Sequence, residues 1–136
     1  MTMEAELAGL SLHEELANLA RERLRAVGTG YLRFTWEEPG LFRTAFSASE
    51  NLRSAASPAR TGEGGLTPFQ VLEAALDELV DAGVLPRKRR PGVEFLAWSA
   101  VHGLAMLLID GPLRDLEGTT AHDVGQRLID VVERGL

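Results

Sequence analysis

Few side chains in this 136-residue sequence are equipped for catalysis. Cysteine is absent, which removes thiolate nucleophiles, disulfides and zinc ribbons, and fits a reducing cytoplasm. The three histidines, His13, His102 and His122, form no H-x-x-x-H or H-E-x-x-H pair, so no metal site is expected. No nucleophile, base and orienting acid stand in a recognisable spacing, and Gly62, Gly64 and Gly65 lack the strand, turn and helix setting of a phosphate loop. The expectation is a non-enzymatic protein without a cofactor. What the sequence offers instead is recognition chemistry. His102 follows Trp98 by one helical turn in an apolar run, and rings recur at Tyr31, Phe34, Phe42, Phe46, Phe69 and Phe95. His102 is either a core histidine bonded to a neighbouring backbone or carboxylate group, or the polar anchor of an apolar ligand pocket. Each ring taken singly reads first as core.

The element that carries Trp98 and His102 is the stretch Glu94 to Gly111, E-F-L-A-W-S-A-V-H-G-L-A-M-L-L-I-D-G. Between Glu94 and Asp110 only Ser99 and His102 are polar, so a helix here is apolar on every face and must be buried all round. Its apolar part spans roughly 22 Å, short of the ~30 Å hydrocarbon core of a bilayer, and it ends at Gly111 and Pro112. It reads as a central helix of a soluble protein. A chain of this size has few elements with which to cover four sides of one helix, so a second subunit is expected to cover part of it.

The other elements follow from capping signals and periodicity, and all are helical; no β-alternation, repeat or second domain is visible. Ser11 and Glu14 have capping-box spacing, and Leu12, Leu16, Leu19, Leu24, Val27, Tyr31 and Phe34 predict a long helix ending before Pro39, with a bend or break at Gly28 and Gly30. Met3 to Gly9 reads as a separate short helix. A short aromatic-rich helix starts at Pro39, and Ser47 to Leu66 reads as a loop. Thr67, Pro68 and Gln70 make the strongest helix start in the chain, and Gly83 the stop. Arg87, Lys88, Arg89 and Arg90 read as a solvated connector with loose pairing to Glu73, Asp77 or Asp81. Thr120 and Asp123 suggest a second capping box, with Val124, Leu128, Val131, Val132 and Leu136 as the inner face of the last helix. The fold class is all-α, five to six helices in one domain spanning residues 1–136. Net charge is −6, the wrong sign for gaining affinity from DNA phosphates, and the acidic start lacks the basic region of a signal peptide. The expected location is cytoplasmic, without membrane contact or direct DNA binding.

Two stretches carry a family resemblance: Y-L-R-F-T-W-E-E-P-G-L-F-R-T-A-F-S from Tyr31 to Ser47, and the W-x-x-x-H-G of Trp98, His102 and Gly103. Together they resemble the ligand-sensing C-terminal region of TetR-like transcriptional regulators, in the subgroup named WHG after those three residues. The resemblance implies a helical bundle that senses a small molecule and forms a homodimer through a four-helix seam. In that family a helix-turn-helix domain precedes the region and reads an operator as a dimer. Nothing ahead of Leu12 has room for one, so the chain is expected to be either part of a longer regulator or a free-standing helical domain that pairs with one.

Both surfaces can be assigned to residues. Ala97, Val101, Leu104 and Leu108 fall on one side of the central helix and are expected to meet Val124, Leu128 and Val131 across a two-fold axis. The opposite side carries Phe95, Trp98 and His102. Facing them are Tyr31 and Phe34, Phe42 and Phe46, and Phe69 and Leu72 from three other helices. Too many rings converge for close packing, so a cavity is expected there for a small, largely apolar effector, given polar direction by His102, Tyr31 and Ser99.

Overall fold

The computed structural model describes residues 2–41 and 66–136. Four α-helices carry these residues: α1 (Met3–Glu37), α2 (Pro68–Asp81), α3 (Val93–Ile109) and α4 (Gly118–Gly135), with a single 3-10 turn at Arg87–Arg89. No strand occurs among them, and none of the helices is long and apolar enough to cross a membrane. The all-α reading therefore holds.

Helix α1 is one element of 35 residues rather than two. Its cap is Thr2, whose hydroxyl accepts the Ala5 N–H at 3.2 Å, so Ser11 lies inside the helix and caps nothing. Gly28 and Gly30 do not break it either. At Gly28 the missing side chain has a packing role, because a Cβ there would stand 3.2 Å from the Ile129 side chain of α4. The helix ends where expected, at Glu37 with Glu38 as cap, since the residue before Pro39 is barred from helical geometry. Residues 39–41 open a further helical turn. The rest of the predicted short helix and the loop after it lie outside the described residues.

Local chemistry sets α2 as predicted. Thr67 and Gln70 complete a reciprocal capping box, with Pro68 in the first turn, and Gly83 at φ 77° reverses the chain where a side chain would be strained. In the basic connector Arg87, Lys88 and Arg89 are exposed, as the solvated reading expects, and Arg90 alone is drawn in. Arg90 reaches Asp77 at 2.8 Å, also bonds Glu94, and approaches the Glu73 carbonyl at 3.5 Å, which ties the start of α3 to α2. At the other end of the chain, α4 starts at Gly118 with no side-chain cap, so the expected Thr120 and Asp123 box is not formed.

Helix α1 runs along the remaining three and packs against each. One core cluster joins Ala20 and Leu24 to Leu72, Leu76, Leu79, Leu85, Val93 and Ala97; a second joins Leu32 to Val101, Leu104, Ala105, Leu108, Ala121 and Ile129. Each large aliphatic side chain withdrawn in this way contributes about 1.5–3 kcal/mol before the entropy of ordering is subtracted. Helix α4 lies antiparallel on α1. Arg25 pairs with Glu133 and Asp130, Gln126 donates to the Thr29 hydroxyl at 3.2 Å, and Gly125 gives room to Leu32.

Side-chain burial sets which arc of each helix looks inward. Ala97, Val101, Leu104 and Leu108 are 4–9% exposed and belong to the chain's own core. The uncovered side of α3 is a different arc, with Leu96 (70% exposed), Met106 and Leu107 flanking small Ser99 and Gly103. On α4 the inner line is Ala121, Gly125 and Ile129; Val124 and Leu128 pack at its edge, and Val131 is exposed.

Candidate functional site

Three helices bring rings to one place. Trp98 and His102 share a face of α3 because four residues make just over one turn, and Phe95 lies one turn earlier. Tyr31 reaches them from α1 and Phe69 from the second position of α2, held there by the Thr67 capping box. Trp98 is the hub. Its ring centroid lies 5.0 Å from Tyr31, 5.7 Å from Phe69 in an edge-on contact, and 6.0 Å from His102 with the planes nearly parallel at 10°. Phe69 extends the group to Phe95 at 6.1 Å. Such offset and edge-on pairs add about 0.5–1.5 kcal/mol each beyond area burial.

Inside the group the Tyr31 hydroxyl and His102 Nδ1 are hydrogen-bonded at 2.6 Å. Burial raises the Tyr31 phenol above its ordinary range and lowers the His102 imidazole, so both are neutral at physiological pH. Between two neutral groups the phenol O–H is the better donor and the unprotonated ring nitrogen the better acceptor, which puts the imidazole proton on Nε2. The nearest acid on α3, Glu94, is committed to Arg90. A neutral aromatic surface with a hydrogen-bonded Tyr–His pair can bind an uncharged molecule and orient one polar group of it. No group of three metal-ligating side chains occurs among the described residues.

Of the ten residues expected to line a pocket, Tyr31, Phe69, Phe95, Trp98 and His102 are brought together. Phe34 is half-buried beside the second core cluster. Leu72 is in the first core cluster, against which Trp98 packs. Ser99 points to the uncovered side of α3, and Phe95 is itself 54% exposed at the margin of the group. Phe42 and Phe46 lie outside the described residues.

A concavity away from these rings was not anticipated. A groove of about 330 Å³ opens between the end of α1 and the start of α4, with Leu32, Arg33 and Trp36 on one wall and Gly118, His122 and Gln126 on the other. The only signal for it in the sequence is the spacing of Gly118, His122 and Gln126, which repeats every four residues and carries no apolar pattern.

A family model described as "Tetracyclin repressor-like, C-terminal domain" matches residues 24–132. No curated protein and no solved structure matches the chain. The match takes in all of α2 and α3, α1 from Leu24 onward and most of α4, including every ring of the Trp98 group. The chain belongs to the tetracycline repressor-like C-terminal domain family.

Proposed function

We propose that this regulatory domain, of the WHG kind by its Trp98, His102 and Gly103, senses a small, largely apolar, uncharged effector at the Trp98 group and works as a homodimer without enzymatic activity. The observation that carries the reading is the Tyr31–His102 bond inside an aromatic group drawn from three helices. A core histidine needs only one satisfied nitrogen; a hydrogen-bonded phenol and imidazole among rings at a junction of helices give an apolar ligand both a surface and a direction. Because α1 and α3 both contribute, occupancy would bias how these helices sit against each other. The proposed pairing surface is the uncovered arc of α3 with Val131 beside it on α4, since Leu96, Gly103, Met106 and Leu107 form an apolar stripe with a small-residue centre.

The test is a thermal-shift screen of uncharged one- to three-ring compounds, followed by calorimetry. A true effector raises Tm by linkage, and His102→Ala weakens its binding at least 10-fold while lowering the stability of the empty protein less. Binding that survives His102→Ala and Trp98→Ala would remove the site from this group. Sedimentation at micromolar concentration should give twice the chain mass, and Leu96→Glu with Leu107→Glu should give a folded monomer. With a net charge of −6 these 136 residues alone are expected to give no operator-specific gel shift at physiological salt.

A further inference from the structure

The groove between α1 and α4 is separate from the Trp98 group. Trp36 follows Tyr31 by five residues, which places the two rings about 140° apart around α1. It is also separate from the proposed pairing surface, because His122 and Val131 lie on opposite sides of α4 at nine residues' spacing. Its volume, about 330 Å³, is at the lower end of small-molecule sites. The close approach of the two helices makes it. They touch where Ile129 meets Gly28 and where Leu32 meets Gly125, and the Gln126–Thr29 hydrogen bond closes the lower end.

The walls are chemically mixed in a way that the core is not. Leu32, 3% exposed, forms an apolar floor, and the Trp36 indole stands beside it 37% exposed. Above them Arg33 and His122 face the groove from opposite helices, and neither makes a hydrogen bond or ion pair within the described residues. Four other arginines of the described residues, Arg21, Arg23, Arg25 and Arg90, do have carboxylate partners. Glu37 lines the rim one turn beyond Arg33, toward Gly118, so negative charge is disfavoured at that end.

From these features we infer a second small-molecule site that takes a planar aromatic carboxylate of one or two rings. The ring lies on Trp36 and Leu32. The carboxylate points toward Arg33, whose planar fork suits it, and toward His122 and the Gln126 amide, away from Glu37. The site does not depend on what the Trp98 group binds.

The probe is 2-naphthoate, with uncharged 2-naphthalenemethanol as its control, followed by calorimetry and by the Trp36 indole N–H resonance in NMR. Saturable 1:1 binding that shifts this resonance is expected. Trp36→Ala and Arg33→Gln, both at exposed positions, should each weaken it about 10-fold, and Glu37→Gln should tighten it a few-fold; Tyr31→Phe and His102→Ala should leave it unchanged. Loss of binding in His102→Ala with no effect of Trp36→Ala would assign naphthoate to the Trp98 group and overturn the inference. No saturable binding at millimolar probe overturns it too. Equal affinity for the uncharged control, or weakening by Glu37→Gln, overturns the carboxylate assignment.

Discussion

Replacing Arg90 with methionine isolates the interaction that fixes the start of α3, and with it Phe95 and Trp98, against α2. The guanidinium is 17% exposed and contacts three groups: Asp77, Glu94 and the Glu73 carbonyl. Burial works against its charge, and the hydrogen bonds to Glu94 and Asp77 more than offset that, so its pKa lies above the ordinary value. The contacts are unequal in worth. Asp77 is 64% exposed and its bridge, screened by water, contributes no more than about 1 kcal/mol. Glu94 is 13% exposed, and losing Arg90 leaves its carboxylate largely dehydrated and unpaired. Orphaning one partner of a fully buried pair costs about 3–5 kcal/mol; with water reaching part of both groups here, about 2 kcal/mol is the reasonable figure. For a domain of this length that lowers Tm by roughly 6–8 °C. Urea melts followed by circular dichroism measure it. The decisive control is Arg90→Met with Glu94→Leu, which removes both charges and should restore at least half of the loss. An Arg90→Met cost below about 0.5 kcal/mol, or a double variant no more stable than the single, would refute the reasoning.

Tyr31→Phe deletes the hydroxyl that bonds His102 and should cost about 1–2 kcal/mol in the same melts; no measurable cost would mean that the bond is not formed in solution. Because burial lowers the His102 pKa below 6.5, the unfolded chain takes up that proton first as pH falls. Stability linked to this group is then complete above about pH 6.5 and declines below it until the folded-state pKa is passed, so the His102→Gln variant should show a shallower slope between roughly pH 7 and 5. Equal slopes would place the imidazole in water. Among the helical glycines, Gly30→Ala meets nothing within 4 Å and should stabilise by about 0.5–1 kcal/mol. By contrast, Gly125→Val drives its side chain into Leu32, already 2.9 Å from a bare Cβ, and should cost about 2–3 kcal/mol; the opposite ranking in thermal melts would contradict the α1–α4 packing.

Where a structural decision rests on a few adjacent residues, it was legible in the sequence. Thr67, Pro68 and Gln70 fix the start of α2 among themselves, and Pro39 ends α1 whatever surrounds it. The meeting of Tyr31, Trp98 and His102 was legible in the same way, because a polar residue one turn from a tryptophan in an apolar helix marks that side as special. The orientation of α3 was not. A helix apolar on every side has no pattern that says which arc faces in, and Ala97, Val101, Leu104 and Leu108 turned out to face the chain's own core. The inner line of α4 was hidden for the opposite reason: Ala121 and Gly125 are selected by the closeness of α1, which hydrophobicity does not record. Ser11 and Glu14 have the spacing of a cap, yet a cap has meaning only where the preceding residues are not already helical. The groove beside Trp36 arises from the pairing of two helices and has no counterpart in either one alone.

The length of α1 gives the domain a mechanical property. Its first buried residue is Ala20, so the segment from Met3 to Leu19 extends from the core by roughly 26 Å at 1.5 Å per residue. A straight rod held at one end acts as a lever. A tilt of roughly 5° at Ala20, the scale of a small repacking around Tyr31 or Leu24, moves the free end by about 2 Å, although no core atom need shift by more than a fraction of that. The exposed leucines 7, 10, 12, 16 and 19 travel with it. Whatever rests on that end would receive an enlarged copy of any tilt made at Ala20.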